Sequence, residues 1–373
     1  MPLLEFNNIG FASLTCAVPA NTQTIDENPD CPDGAYRKKF VRQMGIRKRH
    51  ISLTEQTCTD TGFAAAKRAL KNAGWSADSL DGLIFMSQTP DFNPATGNAH
   101  ILHYRLGMRK DSLAFDITLG CSSFPYGLSV CAALMQQPQV KRLCMISGDT
   151  NFVSYNSVDA IRHCGHFLFG EGTTALLLEQ VRETSPLRIA LYSDGAGYKY
   201  LYDPYSGCRN AWRQFRPAVT ANGVKLGAER PMDGIEITTF STDTVVESIR
   251  RFLEDTSTDV SDYDGIVLHQ ANKQIVKTIG RRLKVDPKKL PLSLDRYANT
   301  SGASASLTIV DAYANDPREC LHLLVCAYGI GLSWGIADIR IRPAVITSIF
   351  PVEDEIFEEG LLYPVTDERK LPC

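Results

Sequence analysis

Compared with itself at an offset of 183 residues, the chain aligns Thr59-Asp60-Thr61 with Thr242-Asp243-Thr244, and Asp81-Gly82-Leu83-Ile84 with Asp264-Gly265-Ile266-Val267. Between the matched strings each half carries apolar residues at helical spacing: Phe63, Ala66, Leu70 and Ala73 in the first, Val245, Ile249, Phe252 and Leu253 in the second. A short apolar strand follows each helix. The same shift sets Cys121 on Ser304, and the strand Leu143 to Ile146 answers Leu323 to Cys326. Two copies of one strand-helix-strand unit predict a duplicated α/β fold in which a short helix from each half meets its counterpart at the centre. The small residues Gly302, Ala303, Ser304, Ala305 and Ser306 would let those helices approach closely, as a buried seam.

The halves are bounded at residues 1–180 and 187–342, with Val181 to Pro186 as the crossover. Asp194 to Arg230, rich in Gly, Tyr and Arg, reads as an irregular excursion. Residues 343–373 form a C-terminal extension, and its acidic stretch (Glu353, Asp354, Glu355, Glu358, Glu359) reads as a solvated appendage. The 39 basic side chains against 42 acidic ones leave a net charge of −3, without the basic excess that nucleic-acid binding needs. Met1 to Gly10 lacks a basic-then-apolar leader and no apolar run reaches the roughly 18 residues of a membrane span, so a cytoplasmic protein is expected. The 11 cysteines are odd in number and include no Cys-x-x-Cys pair, and Cys131, Cys144 and Cys326 lie in apolar runs. Reduced, buried thiols fit that pattern better than disulfides or a metal site.

Three polar residues stand in settings suited to acyl-thioester chemistry. Cys121 lies between a strand, Ala114 to Leu119, and a helix, Ser122 to Met135. Free backbone N–H groups and the positive end of the helix dipole favour an anion there, which lowers the thiol pKa from about 8.5; the alternative is a small buried cysteine capping a helix. His269 follows the strand Gly265 to Leu268, at the carboxyl edge where α/β folds bind small molecules; otherwise it is a structural histidine. Asn299 precedes Thr300-Ser301 and reads either as a site residue or as a helix cap. In the glycine-rich turn after strand Leu323 to Ala327, Gly331 is placed to offer a backbone donor to a developing oxyanion, or forms an ordinary strand turn.

As a set, Asp116 to Tyr126, Phe169-Gly170-Glu171-Gly172, His269-Gln270-Ala271-Asn272, Asn299-Thr300-Ser301 and Gly331-Leu332-Ser333-Trp334-Gly335 resemble the beta-ketoacyl-acyl-carrier-protein synthase III branch of the thiolase superfamily. The resemblance runs from about Phe6 to Arg342. It implies a thiolase-like, duplicated, five-layered α/β/α/β/α fold, a homodimer, and a Cys121-His269-Asn299 triad. It implies an acyltransferase of the synthase III type: Cys121 accepts an acyl group, His269 and Asn299 hold a malonyl thioester through decarboxylation, and the N–H groups of Cys121 and Gly331 form the oxyanion hole. The product of that Claisen condensation is a 3-oxoacyl thioester. No cofactor or metal is implied, since the substrates arrive as acyl-carrier-protein or coenzyme A thioesters.

Where the family carries Trp and Arg beside the coenzyme A adenine, this sequence has Lys39 and Gln43, and His163 replaces a further nucleotide-contacting Arg. An acyl carrier protein is therefore the expected carrier, with coenzyme A as the other possibility. Lys273, Lys277, Arg281 and Arg282 offer a basic docking surface for an acidic carrier, or are simply a solvated helix face. Phe92 and Asn93 belong to the loop that in relatives crosses the dimer interface to line the acyl pocket. Two other functions stay open on sequence: an acyltransferase that passes the group from Cys121 to an alcohol or amine, and a non-catalytic acyl-binding subunit of a synthase pair.

Overall fold

The computed structural model describes residues 3–28, 34–52, 55–92, 96–151, 167–182, 185–202, 232–353 and 355–361. In the first repeat unit Thr57 accepts the Thr59 N–H while Asp60 accepts the Thr57 N–H, so a Thr-x-x-Asp box starts the helix Cys58–Ala73. The helix ends at Gly74, in the left-handed region at φ 68°. Its buried stripe is Ala65, Ala66, Ala69 and Leu70, one step from the predicted face, because Phe63 stays half-buried beneath the Arg105 guanidinium. The strand Gly82–Met86 follows, buried throughout. The second unit repeats this order: helix Val245–Asp255, with Val245, Ile249 and Phe252 fully buried, then strand Gly265–Leu268. Each strand pairs in parallel with the next core strand, Gly82 opposite Leu143 and Gly265 opposite Leu323. The duplication is therefore one of strand register as well as of sequence.

Two sheets result. One has six strands in the order Phe350–Val352, Ile9–Pro19, Gly172–Gln180, Arg142–Asp149, Gly82–Met86, Leu113–Ile117. The other has five: Leu4–Phe6, Leu187–Ser193, Ser333–Ile341, Leu321–Gly329, Gly265–Leu268. The expected boundaries are crossed at both ends, since Leu4–Phe6 pairs with Leu187–Ser193 of the second half and Phe350–Val352 pairs with Ile9–Pro19 of the first. Each half lends a terminal strand to the other.

Helix Ser123–Leu134 touches Arg142–Asp149 of the first sheet and Leu321–Gly329 of the second, and helix Ser304–Tyr313 likewise touches both sheets. Cys58–Ala73 and Asn98–Leu106 cover the outside of the first sheet, and Val245–Asp255 and Lys273–Arg282 bury their apolar faces on the outside of the second. Helix, sheet, helix, sheet and helix stack in that order, the five layers anticipated from sequence. The seam of small residues is present and buried, but it meets helix Ser123–Leu134 through the turn Ser301–Ala303, where a Cβ on Gly302 would lie 2.9 Å from the Ser123 hydroxyl.

The C-terminal extension is not a solvated appendage over its described part. Phe350–Val352 adds a strand, the Gln56 amide donates to the Glu355 carbonyl at 3.2 Å, and Arg105 bridges Asp60 at 2.7 Å and Glu355 at 2.9 Å. The acidic side chains that suggested solvation are in part the partners of a buried arginine. Among the described residues, Cys16, Cys58, Cys121, Cys131, Cys144 and Cys326 are buried free thiols. No described group of His, Cys, Asp and Glu is arranged to hold a metal ion, and no described helix is long and apolar enough to cross a membrane.

Candidate active site

Strand Leu113–Ile117 is tied down by Asp116, whose carboxylate accepts the Ala99 N–H at 3.0 Å. The chain then turns through Gly120 and Cys121 into helix Ser123–Leu134, the strand-to-helix junction expected for the thiol. Two glycines make room. A Cβ on Gly120 would lie 2.9 Å from the Gln88 side chain, and one on Gly329 would lie 2.5 Å from the Cys121 Cβ. The end of strand Leu321–Gly329 is thus pressed against Cys121.

The thiol is buried, and its electrostatics differ from the sequence expectation. Burial pushes Cys121 up to about 12; the Ser301 hydroxyl, 3.9 Å from Sγ, pulls it down, and the Asp149 carboxylate pushes it up again. Desolvation outweighs the helix terminus in the empty cavity, so the resting thiol holds its proton. Iodoacetamide alkylation of Cys121 should therefore accelerate about tenfold per pH unit from roughly pH 7 to 9. A plateau in that rate at neutral pH would contradict the assignment.

His269 sits where strand Gly265–Leu268 ends, with its N–H donating to the Cys326 carbonyl at 2.8 Å. The ring is buried, its Nδ1 is 2.5 Å from Ser304 Oγ, and the Tyr328 ring stands edge-on with centroids 5.4 Å apart. Burial lowers its pKa from 6.5 to about 3, which leaves a neutral imidazole at physiological pH. Nε2 has no hydrogen-bond partner among the described residues.

Asn299 is placed by the Phe169-Gly170-Glu171-Gly172 segment. Its N–H donates to the Leu168 carbonyl, and its carbonyl accepts the Gly170 N–H, each at 3.0 Å. A Cβ on Gly170 would come within 2.2 Å of the Tyr297 carbonyl oxygen, so only glycine permits this pairing. Asn299 Oδ1 accepts the Ser301 N–H at 2.9 Å as a cap does, and Nδ2 is left without a partner among the described residues.

Cys121, His269 and Asn299 line one cavity of about 220 Å³, whose walls include Met44, Leu168, Phe169, Leu201, Ile237 and Tyr328. No described carboxylate or cationic side chain lines it. Gly329 and Ile330 also border the cavity, whereas Gly331, at φ 137°, is folded back toward Ser333. Of the expected oxyanion donors, Cys121 lines the cavity and Gly331 does not. Phe92 is 41% exposed and away from this cavity; Asn93 and His163 lie outside the described residues. Helix Lys273–Arg282 starts at the cavity, which Asn272 and Ile275 line. Lys273, Lys277 and Arg281 follow at four-residue spacing on one face, while Arg282 is engaged by Asp243.

Sequence reading did not find the support network behind these groups. The buried Asp149 accepts the Gln88 and Gly302 N–H groups at 2.8 and 3.1 Å, and the Gln88 amide donates to the Ser301 hydroxyl at 3.2 Å. Its signal in the sequence is slight, an Asp at the end of an apolar strand.

Family models for 3-oxoacyl-[acyl-carrier-protein] synthase III match residues 115–195, and for its C-terminal region residues 253–341. The chain is 32% identical over 336 residues to beta-ketoacyl-[acyl-carrier-protein] synthase III of Clostridium perfringens, covering 89% of this chain and 98% of that one. Identity to the Caldanaerobacter subterraneus enzyme of the same name is 32% over 304 residues, covering 81% and 88%. The crystal structure of a 3-oxoacyl-(acyl-carrier protein) synthase from Burkholderia xenovorans superposes with a TM-score of 0.84 at 27% identity, covering 94% of this chain and 99% of that one. On this identity over nearly the full length of both chains, the chain belongs to the beta-ketoacyl-[acyl-carrier-protein] synthase III family.

Proposed function

We propose that this protein condenses an acyl thioester with a malonyl thioester to give a 3-oxoacyl thioester and carbon dioxide. The observation that carries the reading is that His269 and Asn299, whose Nε2 and Nδ2 have no hydrogen-bond partner among the described residues, line the same cavity as Cys121. Cys121 Sγ attacks the acyl thioester carbonyl, the old C–S bond breaks, and the proton from Cys121 ends on the departing thiol. The malonyl thioester then loses its carboxylate as carbon dioxide, and the electron pair moves to an enolate oxygen between the His269 and Asn299 donors. The enolate carbon attacks the acyl carbon, whose oxyanion is held by the Cys121 and Ile330 N–H groups, and the Cys121 thiolate leaves and is reprotonated. Neutral donors suit this work because they stabilise developing negative charge without binding the malonyl carboxylate as a cation would.

The unpaired Asn299 donor favours condensation over transfer to an alcohol or amine, which needs the thiol and oxyanion hole alone. The same intact triad argues against a purely acyl-binding subunit. The basic face of Lys273, Lys277 and Arg281 at the cavity entrance suits an acidic carrier protein, and Lys39 and Gln43 on helix Gly34–Met44 offer no aromatic platform for an adenine. Leu113–Ile117 is an edge strand with a partly exposed apolar face, the kind of edge a second copy would cover. In that homodimer Phe92 would reach the partner's acyl pocket. Supplying acyl and malonyl groups on carrier protein and on coenzyme A separately tests both points: carbon dioxide and 3-oxoacyl product are expected, faster from the carrier form. Acyl transfer without carbon dioxide from either form would remove the condensing assignment.

A further inference from the structure

We infer that Ser304 is the positioning residue that fixes the tautomer of His269 so that Nε2 carries the proton into the cavity. This rests on the condensing role given to His269. The internal repeat sets Ser304 on Cys121, so the position that carries the nucleophile in the first half carries a hydroxyl in the second, at the start of helix Ser304–Tyr313.

Hydrogen-bond bookkeeping decides which way the bond runs. Ser304 is 1% exposed, and its Oγ accepts the Gln270 N–H at 3.2 Å and lies 2.5 Å from His269 Nδ1. A hydroxyl has one proton to give. If Nδ1 carried the imidazole proton, Ser304 Oγ would accept from two N–H groups and its own buried proton would face no acceptor among the described residues. If Nδ1 is bare, the Ser304 proton goes to it, the Gln270 N–H is satisfied, and Nδ1, the Ser304 hydroxyl and the Gln270 N–H are all paired. The remaining proton then sits on Nε2, the nitrogen with no protein partner. The neutral ring thereby becomes a donor at the place where an enolate oxygen would form, and the Tyr328 hydroxyl, donating to the His269 carbonyl at 3.3 Å, holds the backbone beneath it.

The backbone does not set the tautomer by itself, because the two amide groups of His269 are already engaged by Cys326 and Tyr328. Ser304→Ala removes the only partner that Nδ1 has among the described residues. A mixture of ring tautomers is then expected, with part of the population turning a bare nitrogen lone pair toward the enolate.

The test uses the full chain with ¹⁵N-labelled histidine. Subtracting the spectrum of His269→Ala isolates the His269 ring, which in the wild type should show a protonated Nε2 and an unprotonated Nδ1. In Ser304→Ala the Nδ1-protonated form should appear, and the ratio of carbon dioxide released to acyl-Cys121 formed should fall about tenfold to a hundredfold, as for other groups that orient a functional imidazole. Ser304→Thr, which keeps the hydroxyl, should restore the ring pattern. A wild-type ring spectrum in Ser304→Ala would overturn the assignment whatever the activity. Absence of carbon dioxide from the wild-type enzyme would instead sink the condensing role, while the ring spectra would still report on Ser304.

Discussion

Cys121→Ala leaves no acyl-enzyme: intact mass after exposure to acyl thioesters stays at the unmodified value, and condensation falls by a factor on the order of 10⁴ or more, the scale seen when a covalent nucleophile is lost. The fold should survive. Removing one buried sulfur costs about 1 kcal/mol in a molecule whose core spans two large sheets, and the Ser301 hydroxyl, the side-chain partner of Sγ at 3.9 Å, keeps its bond from the Gln88 amide. Thermal unfolding within a few degrees of wild type, with no acyl mass gained, is the expected pair of results. Condensation at the wild-type rate would show that another residue, or a direct attack, carries the acyl group.

His269→Ala and Asn299→Asp should separate the half-reactions. Acyl-Cys121 still forms, because attack by the thiol uses backbone donors, but decarboxylation of the malonyl thioester slows by about a hundredfold or more, equivalent to ~2.7 kcal/mol or more of lost transition-state stabilisation. Asn299→Asp is the sharper variant. It keeps an oxygen for the Ser301 N–H, so the turn Ser301–Ala303 remains capped, yet it replaces the Nδ2 donor by a carboxylate that repels the enolate. Rapid-quench measurement of acyl mass on Cys121 beside carbon dioxide release reads the two steps independently. An equal loss of both would mean that these residues hold the site together instead of serving the malonyl group.

The parts of this molecule that were legible in its sequence are those specified by local chemistry. The helical stripe at Val245 and Ile249 and the matched strands at Gly82 and Gly265 each depend on residues a few positions apart, and the self-match multiplied their weight. Cys121, His269 and Asn299, which line one cavity, could be singled out because each stands at a junction of elements with its own signature. What was missed depends on contacts across the fold. Ser304 looked like a small seam residue, since nothing in Ser301 to Ser306 says that its hydroxyl meets a ring from residue 269. In the turn after strand Leu321–Gly329, Ile330 and not Gly331 lines the cavity, and Gly331 lies beside Ser333. Phe350–Val352 is three residues long, with no periodicity to show beside an acidic stretch, and is a strand only because the edge of Ile9–Pro19 is there to receive it. The thiol of Cys121 is subject to two opposed effects, a helix terminus visible in sequence and a burial visible only in three dimensions.

The convergence of thiol, imidazole and carboxamide on one reaction is tested most directly by a single turnover. Enzyme acylated on Cys121 and freed of excess donor is mixed with a malonyl thioester, and acyl mass, carbon dioxide and product are followed together. The account predicts that the acyl mass leaves Cys121 as equimolar carbon dioxide and 3-oxoacyl thioester appear, with the three time courses superimposed. Acyl mass that remains on the protein while carbon dioxide is released, or that departs without it, would contradict the account.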